Sequence, residues 1–216
     1  VDPHSMLSRL RNIIYQHAYI DHMDQAMWAC EAAYRERFNA SYPSLANVTA
    51  HSALVVTNQE PLLDYAYPTL KKVIDVGGMG SQKSKPLDEY WNGVLGKRPA
   101  TVLISFGSIA RSTGMPRGHK EGLLKAIASI PDTTFIWKYE DLDDDFARNY
   151  ASKVDNLVLS KWMPQSDLLA DRRVVAFVSH AGGASVQEVA TNAVPTLFIP
   201  LFADQMRNAG MMEKNG

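Results

Sequence analysis

Cysteine is almost absent from these 216 residues: Cys30 stands alone. That excludes an internal disulfide framework and leaves the redox compartment open. Neither sign of charge is in excess. The 22 basic and 23 acidic residues give a net charge of −1 with histidine neutral, which excludes the basic footprint of a nucleic-acid or membrane-surface binder. No apolar run approaches the ~20 residues that span a bilayer. No N-terminal stretch has the layout of a secretory signal. What remains is an ordinary globular composition, 46% hydrophobic, with length for one large or two modest domains. Asn39-Ala-Ser41 and Asn47-Val-Thr49 are glycosylation sequons and lean towards a lumenal location.

Periodicity divides the chain. From Met6 to Phe38 apolar residues recur at three- and four-residue intervals, including Leu10, Ile14, Met23 and Met27; this predicts one or two amphipathic helices with the stripe packed in a core. His17 and His22 in this region have no acidic partner at a telling spacing. Ala53–Thr57 reads as a buried strand and Val73–Val76 as a short one ending at Gly77-Gly78. Residues 79–99, which open on Gly, Ser, Lys and Pro, read as a linker. This places the tail of one α/β domain at 1–78 and a second domain at 100–216. Val1–Ser5 reads as a cloning remnant. From Ala100 onward strand and helix alternate: Ala100–Ser105, helix Gly122–Ile130, Thr134–Tyr139, helix Asp144–Ala151, Asn156–Ser160, Val174–Val178 and Thr196–Ile199. The prediction is an α/β, Rossmann-like parallel sheet with helices on both faces.

Polar and glycine residues collect just past these strands, where open α/β sheets bind ligands. Ala181-Gly-Gly-Ala184 has almost no side-chain bulk, so its backbone N–H groups can approach an anion at a helix N-terminus; a tight turn needing glycine is the other account. Trp162 past a strand end can stack on a planar base or fill a core. Ser185-x-x-Glu188 has capping-box spacing, yet a carboxylate after a phosphate turn can also accept ribose hydroxyls. Asp204 is either a helix N-cap or, beside Gln205, a ligand for sugar hydroxyls. Asp141-x-Asp143 is either a divalent-metal site or a solvated acidic loop before a helix.

Trp162-x-x-Gln165, His180-x-Gly182, Glu188, Pro195 and Asp204-Gln205 fall in the order of the UDP-glycosyltransferase signature. The likeness continues through Ile104–Ser108 and Asp75–Gly78, so nearly the whole chain resembles an animal UDP-glucuronosyltransferase or UDP-glucosyltransferase. The resemblance implies a GT-B fold. It puts uracil on Trp162, uridine contact on Gln165, diphosphate on Ser108 and His180, ribose on Glu188, and the sugar on Asp204 and Gln205 with Asn208 nearby, and it counts Gly182 and Ser185 among the UDP-sugar-binding residues. The signature usually carries Asn where this chain has Ala184, and a small residue where it has Val189; both changes imply weaker donor binding or a compensating contact.

The implied reaction is inverting transfer of glucuronic acid or glucose from a UDP-sugar to a hydroxyl of a small lipophilic acceptor, with no metal cofactor. The family's histidine base and its orienting aspartate have no counterpart here. The chain therefore reads as a fragment that keeps much of the donor site and carries no catalytic base. The resemblance further implies residence on the lumenal side of the endoplasmic reticulum membrane, anchored by a segment outside this chain. Two alternatives stand beside it: a non-catalytic nucleotide-sugar binding module, and a metal-dependent transferase using Asp141 and Asp143.

Overall fold

The computed structural model describes residues 5–80 and 83–216. Val1–His4, read above as part of a cloning remnant, and residues 81 and 82 of the expected linker lie outside them. The chain divides into two compact units, Val1–Val56 with Thr69–Ile74, and Thr57–Pro68 with Asp75–Gly216.

The first unit is dominated by α1 (Met6–Arg37), one helix of 32 residues. Ser5 caps it, its side chain accepting from Ser8 N–H. The expected core stripe is not buried: Leu10 is 55%, Ile14 60% and Met23 47% exposed. Ile13, Tyr15, Tyr19 and Trp28 are exposed too, because apolar residues occupy every side of this helix and no single face is set apart. Its one buried residue among those described is polar. Glu31 accepts from Ser44 Oγ (2.9 Å) and Leu45 N–H (2.7 Å), fixing the start of α2 (Leu45–Ala50). The strands β1 (Val55–Thr57) and β2 (Val73–Asp75) form a two-stranded sheet. The expectation of a buried strand at 53–57 also fails, with Leu54 and Val56 each 56% exposed: a two-stranded ribbon has no second layer to cover it.

The second unit carries the main sheet. Helix α3 (Glu89–Leu95) lies inside the span read as linker, yet Trp91, Val94 and Leu95 are core residues. Asp88 caps it by accepting from Trp91 N–H. Then follow β3 (Ala100–Ser105), α4 (Arg117–Ala128), β4 (Thr133–Lys138), α5 (Asp145–Asn149), β5 (Leu157–Ser160), α6 (Gln165–Leu169), β6 (Val174–Ser179), α7 (Gly183–Asn192), β7 (Thr196–Phe198) and α8 (Gln205–Asn215). The strands are parallel in the order β5-β4-β3-β6-β7. Helix α4 starts five residues before the expected Gly122, directly after Pro116, which suits a helix entrance.

Strand alternation explains why both faces are covered. Leu103, Ile136 and Phe177 point to a core shared with α3, α6 and α7. Their neighbours Ile104, Phe135 and Trp137 point to the opposite core, shared with α4 and α5. Buried Asn156 holds the second face together, its amide donating to the carbonyls of Ile127, Ile130 and Thr133 at 2.9–3.0 Å.

Helix α7 ends on Ala193, which has φ 51° and is exposed. A Cβ in that left-handed conformation costs about 1–2 kcal/mol, whereas glycine is free to adopt it. Ala193→Gly is expected to stabilise the chain by about 0.5–1 kcal/mol after the entropy glycine loses on folding. A higher urea midpoint at unchanged slope is the readout.

Candidate functional site

Chain connections leave β3 and β6 on opposite sides: β3 continues to β4, β6 to β7. That reversal is a topological switch point and opens a crevice beyond the carboxyl ends of the two strands. The last rung pairs Ser105 with Ser179, so the turns 106–108 and 180–182 emerge side by side. They pack closely. A Cβ on Gly107 would lie 2.6 Å from His180 Nε2, and one on Gly182 2.5 Å from it. Only glycine at both positions leaves room for the imidazole, and Gly107 also has φ 86°.

His180 is half-buried, and its Nδ1 is enclosed without a partner at hydrogen-bonding geometry. Burial pushes its pKa below the usual 6.5, and the Lys138 charge adds to this, while the Asp204 carboxylate opposes it. The ring is therefore neutral at neutral pH and can still donate from one nitrogen. Next, Ala181 turns the chain at φ 64°. Its carbonyl accepts from the buried Asn208 amide at 3.0 Å, and the same amide donates to Asp204 Oδ2 at 2.7 Å. Asn208 thus fastens α8 to the turn and orients Asp204.

Helix α7 begins at Gly183 with Gly182 as N-cap and no side-chain cap. Its first N–H groups are left for an anion, beside exposed Gly183 and Ala184. Ser185 is the third helical residue, so the capping-box expectation fails: the glycines start the helix earlier. Glu188 instead turns to α6, where its carboxylate accepts from Gln165 Nε2 and Ser166 Oγ. Gln165 Nε2 also donates to Ser185 Oγ at 3.3 Å.

Trp162 is 74% exposed between β5 and α6, which rules out a core indole. Lys138, at the end of β4, lies 5.5 Å from the centroid of that ring and donates to Gly107 O at 2.8 Å. Lys138 is not among the residues that the sequence motifs single out; its available signal is that of a polar residue closing a strand of aromatic and β-branched residues. Ser108 is exposed beyond Gly107. The neighbours Asp204 and Gln205 behave differently. Asp204 is exposed at the N-cap of α8 but makes no cap bond. Gln205 is buried, its Oε1 accepting from Leu201 and Phe202 N–H at 2.8 and 3.0 Å, so it shapes the preceding loop.

The structure therefore links Trp162, Lys138, Gly107, His180, Gly182, Asn208 and Asp204 through successive contacts, with Gln165, Ser185 and Glu188 as a second linked group. Asp141 and Asp143 lie in the loop between β4 and α5. Asp141 accepts from Asp143 N–H at 3.0 Å. Asp143 pairs with Arg148 at 2.8 Å, and that bond holds its pKa below the usual carboxylate value. Among the described residues no group of three or more His, Cys, Asp or Glu side chains is arranged to hold a metal ion. His17 and His22 are exposed on α1.

Comparison with known proteins agrees with this geometry. A family profile described as "UDP-glucoronosyl and UDP-glucosyl transferase" matches residues 2–216. The chain is 30% identical to ugt-48 of Caenorhabditis elegans over 99% of its own length and 41% of that protein's. It is 28% identical to UDP-glucuronosyltransferase 1A3 of Homo sapiens over 100% of its own length and 39% of that protein's. It thus spans about two fifths of the curated relatives it matches. Among solved structures, the glycotransferase of kitacinnamycin superposes with a TM-score of 0.59 at 19% identity, covering 92% of this chain and 52% of that one. The fold is accordingly the expected GT-B type.

His180 makes a pH prediction. Its folded-state pKa lies below the ordinary value of 6.5, so the unfolded chain takes up a proton first as pH falls. The stability present above about pH 6.5 is lost as pH drops from there towards the folded value. The urea midpoint is expected to fall between about pH 7 and pH 5.5, and His180→Asn should flatten that slope.

Proposed function

The chain belongs to the UDP-glucuronosyl and UDP-glucosyl transferase family, and we propose that its switch-point crevice holds a UDP-sugar. The observation that carries this is the enclosure of a neutral His180 by Gly107 and Gly182 beside the uncapped start of α7. A diphosphate fits there. Backbone N–H groups and the helix dipole supply fixed positive potential, His180 donates a hydrogen bond, and Ser108 and Lys138 stand at the rim. The absent Asn side chain at position 184 leaves the backbone as the donor at that point. Uracil lies on the exposed Trp162 face. The ribose hydroxyls go to Glu188, whose two oxygens keep acceptor capacity beyond the bonds from Gln165 and Ser166. The hexose goes to Asp204, which Asn208 holds in place.

In the whole protein, the proposed reaction is transfer of that hexose to a hydroxyl of a small lipophilic acceptor. A base outside this chain takes the acceptor proton. The departing UDP gains its negative charge against the α7 amides and His180, so these donors act where charge develops. The step needs no divalent metal in this proposal, because the amides, His180 and Lys138 take its place against the diphosphate. We further place the protein on the lumenal side of the endoplasmic reticulum membrane, in line with family likeness and with exposed Asn39 and Asn47 in their sequons. No helix among the described residues is long and apolar enough to cross a membrane.

Trp162 offers the cleanest test, because its exposure makes removal harmless to the core. Calorimetry with UDP should show binding, and Trp162→Ala should weaken it by about fivefold or more, as one base-stacking contact contributes about 1–3 kcal/mol. Unchanged affinity would falsify the assignment of the base. The chain by itself is expected to bind donor without turning it over, as read by UDP release in the presence of phenolic acceptors.

A further inference from the structure

A second cavity of about 200 Å³ opens beside the start of α7 and is lined by Glu60, Asp64, Gln187, Asp204, Arg207 and Asn208, among others. It is too small for a drug-sized ligand, which takes about 300–1,000 Å³, and suits a single small ring. Leu63, Val186 and Met211 form apolar parts of its wall, and carboxylate and amide side chains form much of the rest, the groups that pair with adjacent hydroxyls. It adjoins Asp204, the residue at which the donor's hexose ends.

Charge decides which hexose. Three carboxylates and one guanidinium line the cavity, a formal charge of −2 among its described lining residues. The one cation is committed: Arg207 Nη2 pairs with Asp64 Oδ1, and the Asp64 side chain is only 7% exposed. Asp64 Oδ1 also accepts from Tyr65 N–H at 2.7 Å. A hexuronate would bring a further carboxylate into this site, against Glu60 and Asp204 and with no free cation among the lining residues to meet it. A neutral hexose meets only acceptors and donors.

We propose that this cavity is a charge filter, in which Glu60 and the Asp64–Arg207 pair select a neutral UDP-hexose over a UDP-hexuronate. The proposal rests on the donor site described above. It adds segment 57–68, far in sequence from the site motifs, as its specificity element.

Calorimetric titration of the chain with UDP, UDP-glucose and UDP-glucuronate tests it. UDP-glucose is expected to bind at least as tightly as UDP, and UDP-glucuronate about tenfold more weakly than UDP-glucose, a gap that narrows with added salt. Asp64→Asn removes one negative charge and releases Arg207, and should bring the two sugars within about threefold. Glu60→Gln should narrow the gap without touching the ion pair. If UDP binds but both sugars bind equally, or if neither variant alters the gap, the filter is overturned and the donor site stands. If UDP itself does not bind, both fall.

Discussion

The parallel pairing of β3 with β6 is the constraint on which the site depends. Its register sets Ser105 against Ser179, and from that rung two turns emerge with no freedom to drift apart. Shifting either strand by one residue would send its alternate side chains to the opposite face. Leu103 and Phe177 would leave one core and Ile104 the other. The two cores therefore hold the register, and the register holds Gly107 against His180. Site geometry here is a consequence of burial many residues away.

The turn after β6 shows how that rigidity is used. Ala181 has its Cβ fully buried yet sits at φ 64°, a conformation costly for any residue but glycine. The Asn208 amide holds the strained carbonyl and, with its second proton, the Asp204 carboxylate. Strain at one end of the proposed donor and orientation of a ligand at the other are thus coupled through one buried side chain.

Much of this was legible in the sequence because it follows from local rules. Buried parallel strands announce themselves as short apolar runs, and β3 was delimited to the residue. The motif residues past strand ends stand out through the family resemblance rather than through local rules. What was illegible depends on partners distant along the chain. Burial of α1 and of 53–57 was expected from their apolar content, but burial needs a covering layer that neither has here. Helix α3 was hidden in a span whose opening composition is that of a linker, because Trp91, Val94 and Leu95 show their role only once the sheet supplies the opposite wall. The hydrogen-bond partners of the Glu188 and Gln205 side chains are likewise not legible in the sequence. For Glu188, sequence spacing leaves a helix cap and a cross-helix contact equally plausible, and packing of α6 on α7 decides; Gln205 bonds back to the loop before α8.

Polarity along the crevice is the remaining step. Lys138 and His180 stand where the proposed diphosphate would lie; burial depresses the His180 pKa, and the Lys138 charge adds a smaller push in the same direction. Asp204 acts on the same imidazole in the opposite direction, which places the anionic end within electrostatic reach of the cationic one. A UDP-sugar has the complementary polarity, with its charge on the phosphates and none on a neutral hexose. Reversed in the crevice, it would set phosphate against Asp204 and Glu60 and leave Lys138 facing uncharged hydroxyls. In the proposed donor mode, the gradient between two strand tips and the start of α8 would set the donor's orientation, and any charge added to the hexose would work against that gradient.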